Sequence, residues 1–403
     1  MRNPFLFPAG ALWPEGASHA GEHAAYIAGG ISPSLSGQRR RSVRDGDPWL
    51  DVGFRQIGSE DPAAGALPRG RDSTSGSGRA NGRHVGPTGG RHPDGSPRFD
   101  QPVPSGGYLW WYIDALSDDG NYGLTLIAFV GSVFSPYYRA ALKRGAANPE
   151  NYCSLNVALY GRNRRWTMTE RGCDSMARDA SSFTIGPSSL HWHHDHLEIN
   201  ICEVGMPMPW PLRGKVRVYP SSLSTFSTAL DDQGRHRWGP LAACARVEVE
   251  MDKPSQRWSG HGYLDSNEGD EPVSEPFREW DWSRALLSDG SAAVIYDVQQ
   301  KQGADRLLGL RFLPDGRVEE FAPPARHTLP LTRWRIPRRM RSEGDDPVRV
   351  IDMLEDTPFY ERSVLKSRLF GEDVISVHET LNVPRLVSSV VQNMLPFRMP
   401  RRR

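Results

Sequence analysis

The segment YLWWYIDALSDDGNYGLTLIAFVGSVF, residues 108–134, decides the fold. Tyr108 to Asp114 is aromatic and β-prone. Ser117-Asp118-Asp119-Gly120-Asn121 is a turn cluster, and the apolar run from Tyr122 to Phe134 follows it. Strand, Asp-Gly turn and strand make a hairpin. The pattern recurs outward. NYCSLNVALY (151–160), HLEINICE (196–203), RGKVRVYP (213–220) and ARVEVE (245–250) alternate or read as buried strands. So do AAVIYDVQ (292–299), LLGLRFL (307–313) and the stretches Val348 to Leu354, Leu365 to Leu369 and Val374 to Thr380. Helical patterns are confined to short pieces at Pro136 to Arg144 and Pro384 to Leu395. Many short strands at regular spacing point to an all-β fold closed into barrels or sandwiches. Two consecutive barrels, over 101–250 and 251–403, fit the length. Residues 1–100 read as a largely disordered, low-complexity region with a first strand near 49–57. In its stretch 61–98, rich in Gly and Pro, Leu67 and Val85 are the large aliphatic residues, too few to offset the entropy of ordering.

The 403 residues carry 49 basic and 48 acidic side chains, a net charge of +1, so no global field attracts nucleic acid. Four cysteines without a CxxC pair read as reduced thiols. The opening residues do not have the form of a secretory signal, and no apolar run reaches the roughly 18–20 residues that span a bilayer. The chain is therefore expected to be soluble or peripheral to a membrane. Dinucleotide-binding, Walker and nucleophile-elbow glycine motifs are missing, which argues against nucleotide-driven and esterase chemistry.

Three constellations could carry chemistry. In WSGHGYLDSNEGDEP (258–272), Tyr263 and Asp265 share one face if the chain is extended. A carboxyl among aromatic rings is desolvated, its neutral form is favoured, and it can then donate a proton near neutral pH. The plain alternative is a polar loop whose Asp and Asn cap turns. In RHRW (235–238), His236 and Trp238 again share a face. Imidazole can hold or deprotonate water, and an indole face stabilises a cation; the alternative is an exposed histidine on an edge strand. In HWHHDHLE (191–198), one continuous strand would put His191, His193 and Asp195 on one side and His194, His196 and Glu198 on the other. Either set could ligate zinc or non-haem iron. The spacing matches no established metal motif, and no metal is assigned. At the C-terminus, apolar residues from Leu386 to Phe397 precede Arg401, Arg402 and Arg403, a composition suited either to an anionic membrane surface or to packing followed by a basic tail.

These strings, with GGYLWWYIDALSDDGNYGLTLIAFVGSVFSPYY (106–138), NPENYCSLNVALYG (148–161), RWTMTERG (165–172) and VQNMLPFRMPR (391–401), make the chain resemble the acyclic carotenoid 1,2-hydratases of purple photosynthetic bacteria, also called hydroxyneurosporene synthases. The resemblance covers roughly residues 100–400. It implies two consecutive lipocalin-like β-barrels and addition of water to the terminal 1,2 double bond of lycopene or neurosporene, with no cofactor. It also implies functional His and Trp in an HxW arrangement, here His236 and Trp238, and Tyr and Asp in a YxD arrangement, here Tyr263 and Asp265. The expected roles are Asp265 as general acid, Tyr263 as its positioner, Trp238 as the cation's π partner and His236 as the group that binds water and accepts its proton. Asp265 alone could also donate and later recover the proton. The expected partners are an acyclic carotenoid, water, the cytoplasmic face of an intracytoplasmic membrane and other enzymes of the same pathway, without nucleic acid. The rival readings are a non-catalytic carotenoid or lipid carrier, a metal-dependent enzyme using the His191–His196 block, and a cyclase that also protonates an alkene.

Overall fold

Ser117, Asp119 and Gly120 make the turn that the sequence calls for. Gly120 takes a positive φ of 69°. The Asp119 carboxylate accepts from Ser117 Oγ at 2.5 Å and from the Asn121 amide at 3.0 Å. The computed structural model describes residues 90–402; the strand expected at 49–57 lies outside the described residues.

The turn joins β1 (Tyr108–Ser117) to β2 (Tyr122–Val130). The first sheet continues through β3 (Cys153–Gly161), β4 (Arg165–Arg171), β5 (Met176–Arg178), β6 (Ser182–Ile185), β7 (Ser188–His193), β8 (His196–Val204) and β9 (Pro211–Pro220). It is completed by β10 (Thr228–Ala229) and the long hairpin of β11 (His236–Lys253) and β12 (Ser255–Gly269). Its order is β4-β3-β2-β1-β12-β11-β9-β8-β7-β6-β5, with β10 beside β11. The second sheet contains β13 (Phe277–Leu286), β14 (Ala292–Gln300), β15 (Arg306–Phe312) and β16 (Val318–Glu320). After a small ladder of β17 (Arg326–Thr328) and β18 (Arg339–Arg341), it resumes with β19 (Arg349–Asp356), β20 (Tyr360–Leu369) and β21 (Glu372–Asn382). Its order is β16-β15-β14-β13-β21-β20-β19. The strand pairing is antiparallel apart from β22 (Arg401–Arg402), which lies parallel to β4 at the first sheet's edge.

The first sheet curls. Side chains from β3 at one end and from β6, β7 and β8 at the other pack in one apolar cluster. From the edge strand β4, Thr167 donates to Val204 O on β8 at 3.1 Å, and Arg171 donates to Glu203 at 2.8 Å. The mostly antiparallel β fold is as expected. Among the described residues, however, hydrogen bonding leaves both sheets open, so the pairing does not itself make two closed barrels.

The outer face of the curled sheet is covered too. Leu109, Trp111 and Ile113 of β1 enter the first core, while Tyr108, Trp110 and Tyr112 enter a second core, shared with the second sheet. This explains the near-continuous burial of β1. Polar links cross between the sheets. Arg284 of β13 pairs with Asp114 of β1, both buried. Tyr112 donates to Glu379 at 2.5 Å, and Arg362 holds the same carboxylate at 2.7 Å.

Two expectations are corrected. A division at residue 250 would cut the β11–β12 hairpin, whose register runs to Asp252↔Ser255; the change of sheet falls between Gly269 and Phe277. Residues 90–100, grouped by composition with a disordered region, are packed. Phe99 is buried against Trp111, with ring centroids 4.8 Å apart. Arg91 is buried and donates to the carbonyls of Ser224, Phe226, Gly239 and Pro240 at 2.5–3.3 Å. One guanidinium and one ring thus replace the aliphatic residues that the segment lacks. The short helices appear as expected, at Pro136–Lys143, Val383–Leu386 and Ser389–Met394. None of the described helices is long and apolar enough to cross a membrane.

Arg91→Ala leaves four carbonyls, those of Ser224, Gly239 and Pro240 in buried contacts, short of a donor and should lower the unfolding free energy by about 3 kcal/mol. Urea denaturation measures this, and a loss below about 1 kcal/mol would show that water replaces the guanidinium.

Candidate active site

β11 and β12 bring the candidate residues together. Their register places Trp238 opposite Asn267 and His236 opposite Gly269. With a period of two, His236 and Trp238 on one strand and Tyr263, Asp265 and Asn267 on the other face the second sheet. The site is therefore built on the outside of the curled sheet, in the space between the two sheets.

The Asp265 carboxyl is buried at its centre. Its Oδ2 accepts from Trp238 Nε1 at 2.8 Å and from Tyr263 OH at 2.9 Å. Its Oδ1 has one longer contact, from Asn267 Nδ2 at 3.2 Å. Burial pushes the Asp265 pKa up to about 8; the Trp238 and Tyr263 donors oppose this rise, and the nearby acids Glu379 and Asp114 reinforce it. Asp265 is thus mostly the neutral acid at neutral pH. Because Oδ2 is taken by two donors, the dissociable proton belongs on Oδ1.

Aromatic rings enclose this carboxyl. Trp238 meets Tyr296 edge to face at 5.3 Å, and Tyr263 lies 5.3 Å from Trp282. Burial also raises the Tyr263 pKa, so its phenol stays a donor. The buried Trp282 Nε1 has no hydrogen-bond partner among the described residues.

His236 stands apart from this group. Its Nδ1 is 2.9 Å from Tyr108 OH, its Nε2 faces Glu271 at 3.6 Å, and its backbone amide donates to Asp231 at 2.8 Å. Burial lowers its pKa against the opposing pull of Asp231 and Glu271, which keeps the ring neutral. Gly269, opposite His236, is required here: an added Cβ would lie 2.8 Å from His236 Nδ1 and 2.3 Å from the Tyr108 ring. From Asp265 to Gly269 is four residues along β12, about 13 Å of strand. Trp238, Tyr263 and Asp265 form one bonded unit, and His236 forms a second with Tyr108.

Sequence reading missed Tyr108, Asn267, Tyr296 and Glu379. Asn267 was signalled, since it continues the alternation of Tyr263 and Asp265. The others arrive through strand pairing and packing between sheets.

The histidine block is corrected. The chain reverses at His194, which has a φ of 43°, so the block is a hairpin and not one strand. This brings His193, His196 and Glu198 together, with ligand atoms within 4.8 Å of one another. Glu198 is already engaged by Lys215 at 2.9 Å and Arg217 at 3.1 Å. Two cations on one ligand oppose a divalent ion there. The block lies on β7–β8, away from Asp265.

The C-terminal segment is likewise packed. Leu386, Val391 and Leu395 are buried in the core between the sheets, and Arg401 pairs with the buried Glu170.

The family model described as carotenoid hydratase CrtC matches residues 126–403. The chain is 57% identical over 378 residues to an acyclic carotenoid 1,2-hydratase of Rubrivivax gelatinosus, covering 93% of each chain. It is 47% identical over 403 residues to the protein of the same name in Thiocapsa roseopersicina, covering 100% of this chain and 99% of that one. The Cereibacter sphaeroides protein of that name is 38% identical over 279 residues, covering 69% of this chain and 98% of its own.

The raised Asp265 pKa has a consequence for stability. An acid that binds its proton more tightly folded than unfolded stabilises the fold below the ordinary carboxylate pKa, roughly 4. That stability is lost as pH rises towards the folded value of about 8. Wild-type stability should therefore fall across this window by up to about 1.4 kcal/mol per pH unit relative to Asp265→Asn. Parallel pH profiles of the two proteins in chemical denaturation would contradict the assignment.

Proposed function

The chain belongs to the carotenoid hydratase CrtC family and is an enzyme of carotenoid hydration; from that premise we propose that Asp265 is the acid that starts the reaction. The observation that carries the proposal is a buried carboxyl whose pKa is raised to about 8, fixed by the Trp238 indole and the Tyr263 phenol. The substrate is an acyclic carotenoid such as lycopene or neurosporene, and the reacting group is its terminal 1,2 double bond.

A trisubstituted alkene is a weak base, so it needs an acid that is still protonated at working pH and shielded from water. The Asp265 proton goes to C2, because that leaves the tertiary cation at C1. The π electrons form the new C–H bond, and the O–H electrons stay on the carboxylate. The Trp238 and Tyr263 donors remain bonded to Oδ2 and stabilise the new anion as it forms. The aromatic faces stabilise the cation. Water adds to C1 and loses a proton, giving the tertiary 1-hydroxy product. The enzyme ends the cycle with Asp265 protonated. Addition of water is redox-neutral, so the residues need supply only proton transfer and charge stabilisation.

The strand separation between His236 and Asp265 favours Asp265, through the attacking water, as the group that recovers the proton. His236, neutral and anchored by Tyr108, takes the role of holding water at the polar end of the site. The wider architecture is read here as two lipocalin-like halves, one per sheet, with the reaction between them.

Asp265→Asn keeps the shape and the Trp238 and Tyr263 donors but has no proton to deliver. Incubated with lycopene or neurosporene, it should form the product heavier by one water about 10³-fold more slowly than wild type, with carotenoid binding retained. Wild-type turnover should fall about tenfold per pH unit once the pH passes the Asp265 pKa. Near-normal turnover in folded Asp265→Asn would end the acid assignment. A wild type that binds carotenoid without product would favour a carrier.

A further inference from the structure

Three segments with no sequence proximity meet at one edge of the space between the sheets: the β3–β4 turn (161–166), the β8–β9 loop (205–211) and the C-terminal helical stretch (389–399). Arg398 donates to Met206 O at 3.0 Å and lies over the Trp166 ring at 4.5 Å. Arg165 lies over the Trp210 ring, also at 4.5 Å. The surface they share exposes large apolar side chains. Met208 is 54% exposed, Trp210 42%, Val390 69% and Phe397 67%. Val390, Asn393 and Phe397 recur at helical spacing on the outer side, while Val391 and Leu395 face inward.

The geometry points to a docking surface for an anionic bilayer, made by Met208 and Trp210 from the loop and Val390 and Phe397 from the C-terminal stretch. The inference rests on the hydratase reading, because that substrate is stored in lipid.

Charge argues for this occupant. The three segments contain Arg162, Arg164, Arg165 and Arg398 and no acidic residue. Of these, Arg164 is matched by Asp352 on β19, and Arg398, largely buried, lies in the field of Glu355. Apolar side chains, a tryptophan among them, beside arginines suit the boundary between acyl chains and anionic headgroups. Continuity argues for it too. The inner side of the same stretch, Val391 and Leu395, belongs to the apolar cluster that holds Trp238 and Tyr263. A substrate leaving the bilayer at this edge would pass from lipid to that cluster without crossing water. Arg401, with its tie to Glu170 at the far end of β4, is not part of the surface.

The test is cosedimentation of the full chain with carotenoid-free vesicles, so it reads docking independently of catalysis. Vesicles of equal parts phosphatidylglycerol and phosphatidylcholine are compared with pure phosphatidylcholine. The wild type should prefer the anionic vesicles by at least tenfold, and high salt should remove the preference. Trp210→Ser with Phe397→Ser should weaken binding at least tenfold, with the melting temperature kept. Arg162→Gln with Arg164→Gln, both exposed, provides a second variant that does not touch the core. It should lose about tenfold, since each basic residue near such a surface adds roughly fivefold and Arg164 is already partly matched. Leu307→Ser, on the exposed side of β15, should bind as wild type does. Equal binding to neutral and anionic vesicles, or unchanged binding in both double variants, would overturn the inference.

Discussion

The desolvation of one carboxyl between two sheets is the constraint on which the rest depends. A carboxylic acid in water is ionised at neutral pH; here burial outweighs two hydrogen bonds that favour the anion, and the Asp265 pKa rises to about 8. That outcome requires both faces of the central strands to be covered. β12 meets the first core through Leu264 and the second through Tyr263. If the second sheet withdrew, water would reach Asp265 and its pKa would fall. The second sheet is thus as much a part of the acid as the strand that carries it.

The contacts that hold the sheets together obey the same electrostatics. Arg284 pairs with Asp114, and Arg362 satisfies Glu379 while Tyr112 donates to the same carboxylate. A buried pair of this kind gives little net stability over a well-packed apolar pair, but breaking it costs several kcal/mol, about 3–5. Such links fix relative position more than they add stability. They also set the field at the site, because Asp114 and Glu379 raise the Asp265 pKa. Positioning of the sheets and tuning of the acid therefore come from the same residues.

The fold class was readable because β hairpins advertise themselves locally, as Asp119-Gly120 does between two apolar runs. Tyr263 with Asp265, and His236 with Trp238, were readable because side chains two apart on a strand share a face. What escaped was set by pairing at long range. Tyr108 reaches His236 across 128 positions of chain, and Tyr112 reaches Glu379 across 267. No local pattern encodes either contact. Composition misled at 90–100, where Arg91 does by hydrogen bonding what aliphatic side chains usually do by burial. Spacing misled at 191–198, because a turn at His194 inverts the faces that one strand would present. The break expected at 250 failed because β11 and β12 are each far longer than a typical strand, and one long hairpin reads locally like two shorter elements.

The protonation state of Asp265 can be observed directly. Infrared difference spectra between wild type and Asp265→Asn isolate the carbonyl stretch of this one carboxyl. A protonated-acid band should be present in the wild type at pH 7, shift in heavy water, and fade as the pH is raised past the value of about 8 that its burial sets. A band missing at pH 7, with the carboxylate stretches in its place, would contradict the claim that the two sheets hold Asp265 as a neutral acid.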